Sequence, residues 1–154
     1  MAIQTIEEIA GTAGRMMGVD FGDKRTGLAI SDESRFLASG IGCISPGGLA
    51  KTAERVAQIV RERNVRAVVV GLPVNMDGSL GSRADRCREF AETLSALFDG
   101  ALPVCLFDER LTTVAATRFL NETNTRGAKR KEVVDTLSAQ IILQNSLDRI
   151  KNMR

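Results

Sequence analysis

Met16-Met17-Gly18-Val19-Asp20-Phe21-Gly22-Asp23-Lys24-Arg25-Thr26-Gly27-Leu28-Ala29-Ile30-Ser31 is the stretch on which the fold turns. Its first run, Met16 to Phe21, is short, apolar and edged by glycine, which suits a buried strand. Gly22-Asp23-Lys24-Arg25 has turn chemistry. Thr26 to Ser31 then reads as a second strand. Another turn at Asp32 to Arg35 leads to a third strand around Leu37 to Ile44. Three strands joined by short turns make an antiparallel meander.

Ser45-Pro46-Gly47-Gly48 breaks this pattern, and Leu49, Ala53, Val56, Ile59 and Val60 recur at helical spacing, with Asn64 as a stop. Arg66 to Leu72 contains a β-branched run expected of a strand covered on both faces. Pro73 to Gly81 is a glycine-containing loop. Ser82 and Asp85 form a capping-box pattern opening a helix with Ala84, Phe90, Leu94 and Leu97, which ends at Asp99-Gly100. Val104 to Phe107 is the fifth strand. Thr112 or Thr113 caps a short helix with Ala115, Ala116, Phe119 and Leu120. After the polar stretch Asn121 to Lys131, a long helix from Lys131 to Asn152 carries Val134, Leu137, Ile141 and Leu147 along one side. The expectation is an α/β fold: a mixed five-stranded sheet, three antiparallel strands then parallel ones, with helices on both faces. Residues 16–154 form one domain, preceded by residues 1–15 as a mobile extension or a short helix.

Composition excludes whole mechanisms. The 154 residues include no histidine, so there is no Ser-His-Asp triad, Cys-His pair or His-ligated zinc. Tryptophan and tyrosine are absent too, which leaves poor stacking platforms for single-stranded bases. Cys43, Cys87 and Cys105 are odd in number and lack CxxC spacing, as expected of free thiols in a reducing cytosol. No apolar stretch approaches the roughly 18 residues of a membrane helix. The start of the chain lacks the basic-then-apolar order of a signal peptide. A cytoplasmic protein with no membrane partner is expected. The formal net charge of +2 does not by itself establish nucleic-acid binding.

Acidic residues stand where segments end. Asp20 closes the first strand, Asp108 and Glu109 close the fifth, and Asp135 lies in the first turns of the last helix. Successive strand residues face opposite sides, so one of Asp108 and Glu109 points at a common site; Glu109 is the choice, with Asp108 organising the turn or the neighbouring arginine. Asp135 shares a helical face with Ala139 and Ile142 and so borders the apolar stripe. Three converging carboxylates without histidine suit a hard cation, Mg²⁺ or Mn²⁺, and metal-assisted phosphate chemistry. Plainer roles stand beside this one. Asp20 fits a hairpin turn, Glu109 a surface position, and Asp135 a favourable acid near a helix N-terminus.

Basic residues gather at the same end. Lys24, Arg25 and Arg110 flank the acids, and Arg126, Lys129, Arg130 and Lys131 precede the last helix; together they form a candidate phosphate-binding rim, or else a solvated loop. Thr112, Thr113 and Asn75 are further substrate-binding candidates. Asn75 lies in Gly71-Leu72-Pro73-Val74-Asn75-Met76-Asp77-Gly78, which is not a Walker A loop.

GVDFGDKRTGLAIS, VVVGLPVNMDGSLGSRA, LFDERLTTVAA and KEVVDTLSAQIILQNSL together resemble the YqgF/RuvX family of bacterial proteins, from about Met16 to Leu147. The resemblance implies an RNase H-like fold similar to RuvC resolvases, and an activity either in processing the 5′ end of precursor 16S rRNA or in cutting Holliday junctions. By it, Asp20 matches the family's first-strand catalytic aspartate, Glu109 the acid of its DER motif and Asp135 the acid of its last helix. These three would catalyse and hold metal. Leu137 is expected to face the core.

The expectation is therefore a metal-dependent endonuclease acting on pre-rRNA or branched DNA, with the ribosome as a possible partner and a monomer or homodimer as its state. A non-catalytic RNA binder on the ribosome is one rival reading. An actin-like or sugar-kinase-like nucleotide-binding domain is another, although such proteins usually need two domains around the nucleotide.

Overall fold

The computed structural model describes residues 3–45, 47–75, 77–111 and 127–153. Strands β1 (Met16–Asp20), β2 (Thr26–Ser31) and β3 (Ala38–Ile44) form the expected meander. Then come α2 (Leu49–Glu62), β4 (Ala67–Leu72), α3 (Ser82–Phe98), β5 (Val104–Asp108) and a long helix, α4 (Gly127–Asn152); a short helix, α1 (Ile6–Ala10), precedes them all. The sheet order is β3-β2-β1-β4-β5, with β4 and β5 parallel to β1. This is the mixed five-stranded sheet expected from the sequence.

The two faces of the sheet follow the two-residue alternation of its strands. Met17, Val19, Leu28, Val68, Val70 and Val104 pack with α2 and α3 in one core. Met16, Ala29, Val69, Cys105 and Phe107 pack in the other with Ala139, Ile142, Leu143 and Leu147 of α4. On this second face small residues let α4 sit directly on the sheet. A Cβ at Gly18 would lie 2.8 Å from the Ala139 carbonyl oxygen, and one at Gly40 would lie 2.5 Å from the Thr136 methyl. A strand glycine of this kind marks close approach of another backbone.

Three local expectations change. The helix after the β4 loop is capped by Gly81 with no side-chain cap, so Ser82 is its first residue and no capping box forms with Asp85. The last helix begins at Gly127, not Lys131, so the run from Gly127 to Lys131 is helical. Leu137 is 42% exposed: the buried residues of α4 among those described are Ser138, Ala139, Ile142, Leu143, Ser146, Leu147 and Ile150, and Leu137 falls outside them. The short helix expected around Thr112 to Leu120 lies outside the described residues.

The N-terminal segment is built into the fold as the short helix of the two forms considered. Thr5 and Glu8 close a capping box on α1, whose Ile9 is fully buried. The Gln4 amide donates to the Val104 carbonyl at 2.9 Å, which covers part of the β5 edge. Arg35 reaches under the segment and donates to the carbonyls of Gly14 (2.6 Å), Thr12 (3.0 Å) and Ile9 (3.1 Å). The three cysteines are free thiols. No helix among the described residues is long and apolar enough to cross a membrane.

Candidate active site

Asp20 ends β1 and is 3% exposed. The next residue, Phe21, stacks on Phe90 of α3 with ring centroids 4.4 Å apart, which anchors the chain just after the aspartate. On one side Asp20 pairs with Gly27 of β2. On the other, Val19 pairs with Val70, so Gly71 lies level with Asp20 on β4. Glycine thus flanks the aspartate on both neighbouring strands, each about 4.8 Å away.

Both glycines are occupied from above. Glu109 follows β5 in a 3₁₀ turn, is 2% exposed, and leans over Gly71; a Cβ there would lie 2.5 Å from its Oε1 and 2.5 Å from Ile142 Cδ1. Over Gly27 runs the backbone of α4, and a Cβ on Gly27 would collide with the Asp135 carbonyl. The fold therefore brings Glu109 and Asp135 to opposite flanks of Asp20.

Asp135 lies eight residues into α4, about 12 Å from its N-terminus at 1.5 Å per residue, which is beyond the reach of the helix dipole. Its carboxylate accepts a hydrogen bond from Arg25 Nε at 3.0 Å, with both side chains about a fifth exposed. Asp108 faces away, as alternation requires. It grips its own neighbour Arg110, accepting from the guanidinium at 2.8 Å and from the amide at 2.9 Å. That grip holds the Asp108 carboxyl below its ordinary value.

Burial pushes the Glu109 carboxyl up to about 7; the Arg83 charge opposes this, and Asp108 adds to it. Arg83, in the first turn of α3, is a neighbour of the site that the sequence reading missed. Gly27 and Gly71 were missed as well. Glycine inside a strand was the available signal, but it does not say which backbone approaches.

The remaining candidates divide. Lys24 is exposed in the β1–β2 turn. The Asn75 amide is spent on Ser79 within its own loop, at 3.1 Å. Thr112, Thr113 and Arg126 lie outside the described residues, as do the side chains of Lys129, Arg130 and Lys131.

The donor chemistry fits a hard divalent cation, since two buried carboxylates and a third beside them offer only oxygen. In the conformation seen, Asp135 is turned to Arg25. Among the described residues no three His, Cys, Asp or Glu side chains are gathered closely enough to hold a metal ion.

Residues 14–149 match the family model described as RuvX, Holliday junction resolvase. A protein of Thermoanaerobacter pseudethanolicus named "Putative pre-16S rRNA nuclease" is 48% identical over 90% of this chain and 99% of its own length. One of the same name from Bradyrhizobium sp. ORS 278 is 45% identical over 92% of this chain and 86% of its own. Among solved structures, Thermus thermophilus RuvC in complex with a Holliday junction substrate superposes with a TM-score of 0.57, covering 88% of this chain and 94% of that one at 14% identity. At that identity the likeness is one of fold.

Proposed function

This chain belongs to the RuvX family, and on that premise we propose that it is a metal-dependent endonuclease that processes the 5′ end of precursor 16S rRNA in the cytoplasm. The observation that carries the reading is the pair of glycine windows beside Asp20, one filled by Glu109 and the other by the backbone of Asp135. A structural carboxylate has no need of that arrangement. Asp20 and Glu109 are nearly inaccessible, and burying acids together is costly unless something cationic joins them.

Asp20, Glu109 and Asp135 are the residues that would hold Mg²⁺ or Mn²⁺. When bound, such an ion supplies an activated water and stabilises the leaving oxygen of a phosphodiester. The protein's own residues do the rest. Arg25 holds Asp135 at 3.0 Å, and would be free to face a phosphate if that carboxylate turned to a bound ion. Glu109 exchanges a proton near neutral pH, so its charge is set by what occupies the site. Lys24 stands exposed at the same edge, placed to meet a phosphate backbone without reading bases.

The family description favours a second reading, cleavage of a four-way DNA junction. Symmetric junction cutting calls for a two-fold dimer, whereas trimming one rRNA end does not. Incubating a labelled precursor 16S leader and a labelled junction side by side with Mn²⁺ separates the two. Cutting of the leader supports the proposal, cutting of the junction alone replaces it with the second reading, and metal-independent RNA binding without cutting favours a non-catalytic role.

A further inference from the structure

Among its described residues α4 carries two fully buried serines, Ser138 and Ser146, and their hydroxyls are treated differently. Ser146 satisfies its hydroxyl within the helix, donating to the Ile142 carbonyl four residues back at 2.8 Å. Asn145 does the same with the Ile141 carbonyl, also at 2.8 Å. Ser138 is 0% exposed, yet its hydroxyl makes no hydrogen bond among the described residues, to the carbonyl one turn back or to any other group. A buried hydroxyl is ordinarily satisfied. Alanine would suit a buried helix position better and would leave no donor unpaired. The sequence keeps a donor where the fold itself has no use for one.

The contacts of α4 show where that hydroxyl lies. The helix crosses the sheet with Thr136 over Gly40 of β3 and the Asp135 carbonyl over Gly27 of β2. The Ala139 carbonyl and Leu143 lie over Gly18 of β1, and Ile142 lies over Gly71 of β4. Ser138 is one turn before Ile142 and so shares its β4 side, away from Thr136. At Gly71, Ile142 meets Glu109: a Cβ there would lie 2.5 Å from Ile142 Cδ1 and 2.5 Å from Glu109 Oε1.

The first turns of α4 stand at the Asp20 end of the sheet. Asp135 overlies Gly27, the partner of Asp20, whereas Gln144 accepts from the Ala38 amide at the start of β3. Helix side chains lean toward the N-terminus. Ser138 therefore carries its hydroxyl about one turn, roughly 5 Å, beyond Ile142 toward the acids, on the flank that Glu109 occupies. Asp135, three residues earlier, is engaged on the other flank by Arg25 of the β1–β2 turn.

We propose that Ser138 is a positioning residue of the carboxylate centre: its hydroxyl donates to the Glu109 carboxylate when a divalent cation is bound there. An ionised carboxylate offers about four lone-pair sites, so a cation on one oxygen leaves others to be filled. In a site this buried, protein donors must fill them. A hydroxyl that fixes one oxygen aims the other at the ion, as hydrogen bonds to ligating carboxylates do in metal sites generally. Ser138 neither ligates the ion nor touches the phosphate; it acts through Glu109. The proposal rests on the metal-dependent reading above and adds to it a residue outside the three acids.

The test separates folding from metal binding, on the full chain. Ser138→Ala removes a buried donor that the fold leaves unpaired, so in EDTA the variant should unfold at or above the wild-type urea midpoint. Its Kd for Mn²⁺, measured by calorimetry, should be about 10- to 100-fold weaker. Ser146→Ala, the other buried serine of the same helix, should bind Mn²⁺ as wild type does.

Wild-type Mn²⁺ affinity in Ser138→Ala, or an equal loss in Ser146→Ala, overturns the proposal and leaves a cleaving, Mn²⁺-binding wild type as the nuclease proposed above. A urea midpoint well below wild type, or a failure to fold, overturns it as well, because the hydroxyl would then be holding the fold. If wild type itself binds no Mn²⁺, the metal reading falls and this proposal falls with it.

Discussion

Replacing Glu109 by Gln should make the metal-free protein more stable at alkaline pH, which is unusual for a change inside a catalytic site. Glu109 is 2% exposed, and burial raises its carboxyl from 4.5 to about 7. The native state therefore holds this proton more tightly than the unfolded chain. Stability from the protonated form is fully present below about pH 4.5 and is lost as pH rises through about 7. At roughly 1.36 kcal/mol per pH unit, the loss is about 3 kcal/mol, or on the order of 6–12 °C in Tm for a chain of this size. Glutamine keeps the shape and cannot ionise, so the variant lacks this pH term. Urea unfolding in EDTA at pH 5 and pH 8, followed by circular dichroism, reads the effect as the difference between the two proteins, in which other titrating groups cancel. Wild type should lose about 2.5 kcal/mol more than Glu109→Gln between the two pH values, because a little of the loss has already occurred at pH 5. An equal loss in both would refute the claim that burial sets the state of this carboxyl.

Because cations bind the ionised form, Mn²⁺ uptake at pH 6 should release close to one proton, and at pH 8 almost none; calorimetry in buffers of different ionisation enthalpy measures this. Gly27→Ala should force α4 off the sheet at Asp135, destabilise the fold by about 1–3 kcal/mol and abolish cleavage, whereas Ala at the exposed Gly11 should do neither. Arg25→Gln removes the cation that holds Asp135, so Mn²⁺ should bind up to about 5-fold tighter, in keeping with the roughly 1 kcal/mol ceiling of such partly exposed pairs. Weaker binding in that variant would mean that Arg25 positions Asp135 and does not compete for it.

The strands were legible because their patterns are local. An apolar run closed by Asp20 and a β-branched run ending at Leu72 each announce a strand, and alternation says that only one of Asp108 and Glu109 can face a common site, without saying which. Helix details were less so. Leu137 is apolar and exposed, which surfaces tolerate freely, and a Ser-x-x-Asp pattern at Ser82 does not fix which residue starts the helix. What no local pattern contains is the pairing across the fold. Arg25 meets Asp135 over 110 residues of separation, and Gly27 receives the backbone of a helix named only much later in the chain. The carboxylates could be read as candidates one at a time; their shared edge is a property of sheet order and of α4.

The most direct test is cleavage of a labelled precursor 16S leader by wild type, Asp20→Asn and Asp135→Asn, each with Mn²⁺ and with EDTA, after circular dichroism has established that all three are folded. Metal-dependent cutting by wild type, lost by at least 10²-fold in both folded variants, is the predicted result. Undiminished cutting by either folded variant, or cutting that persists in EDTA, would contradict a metal centre built on these acids.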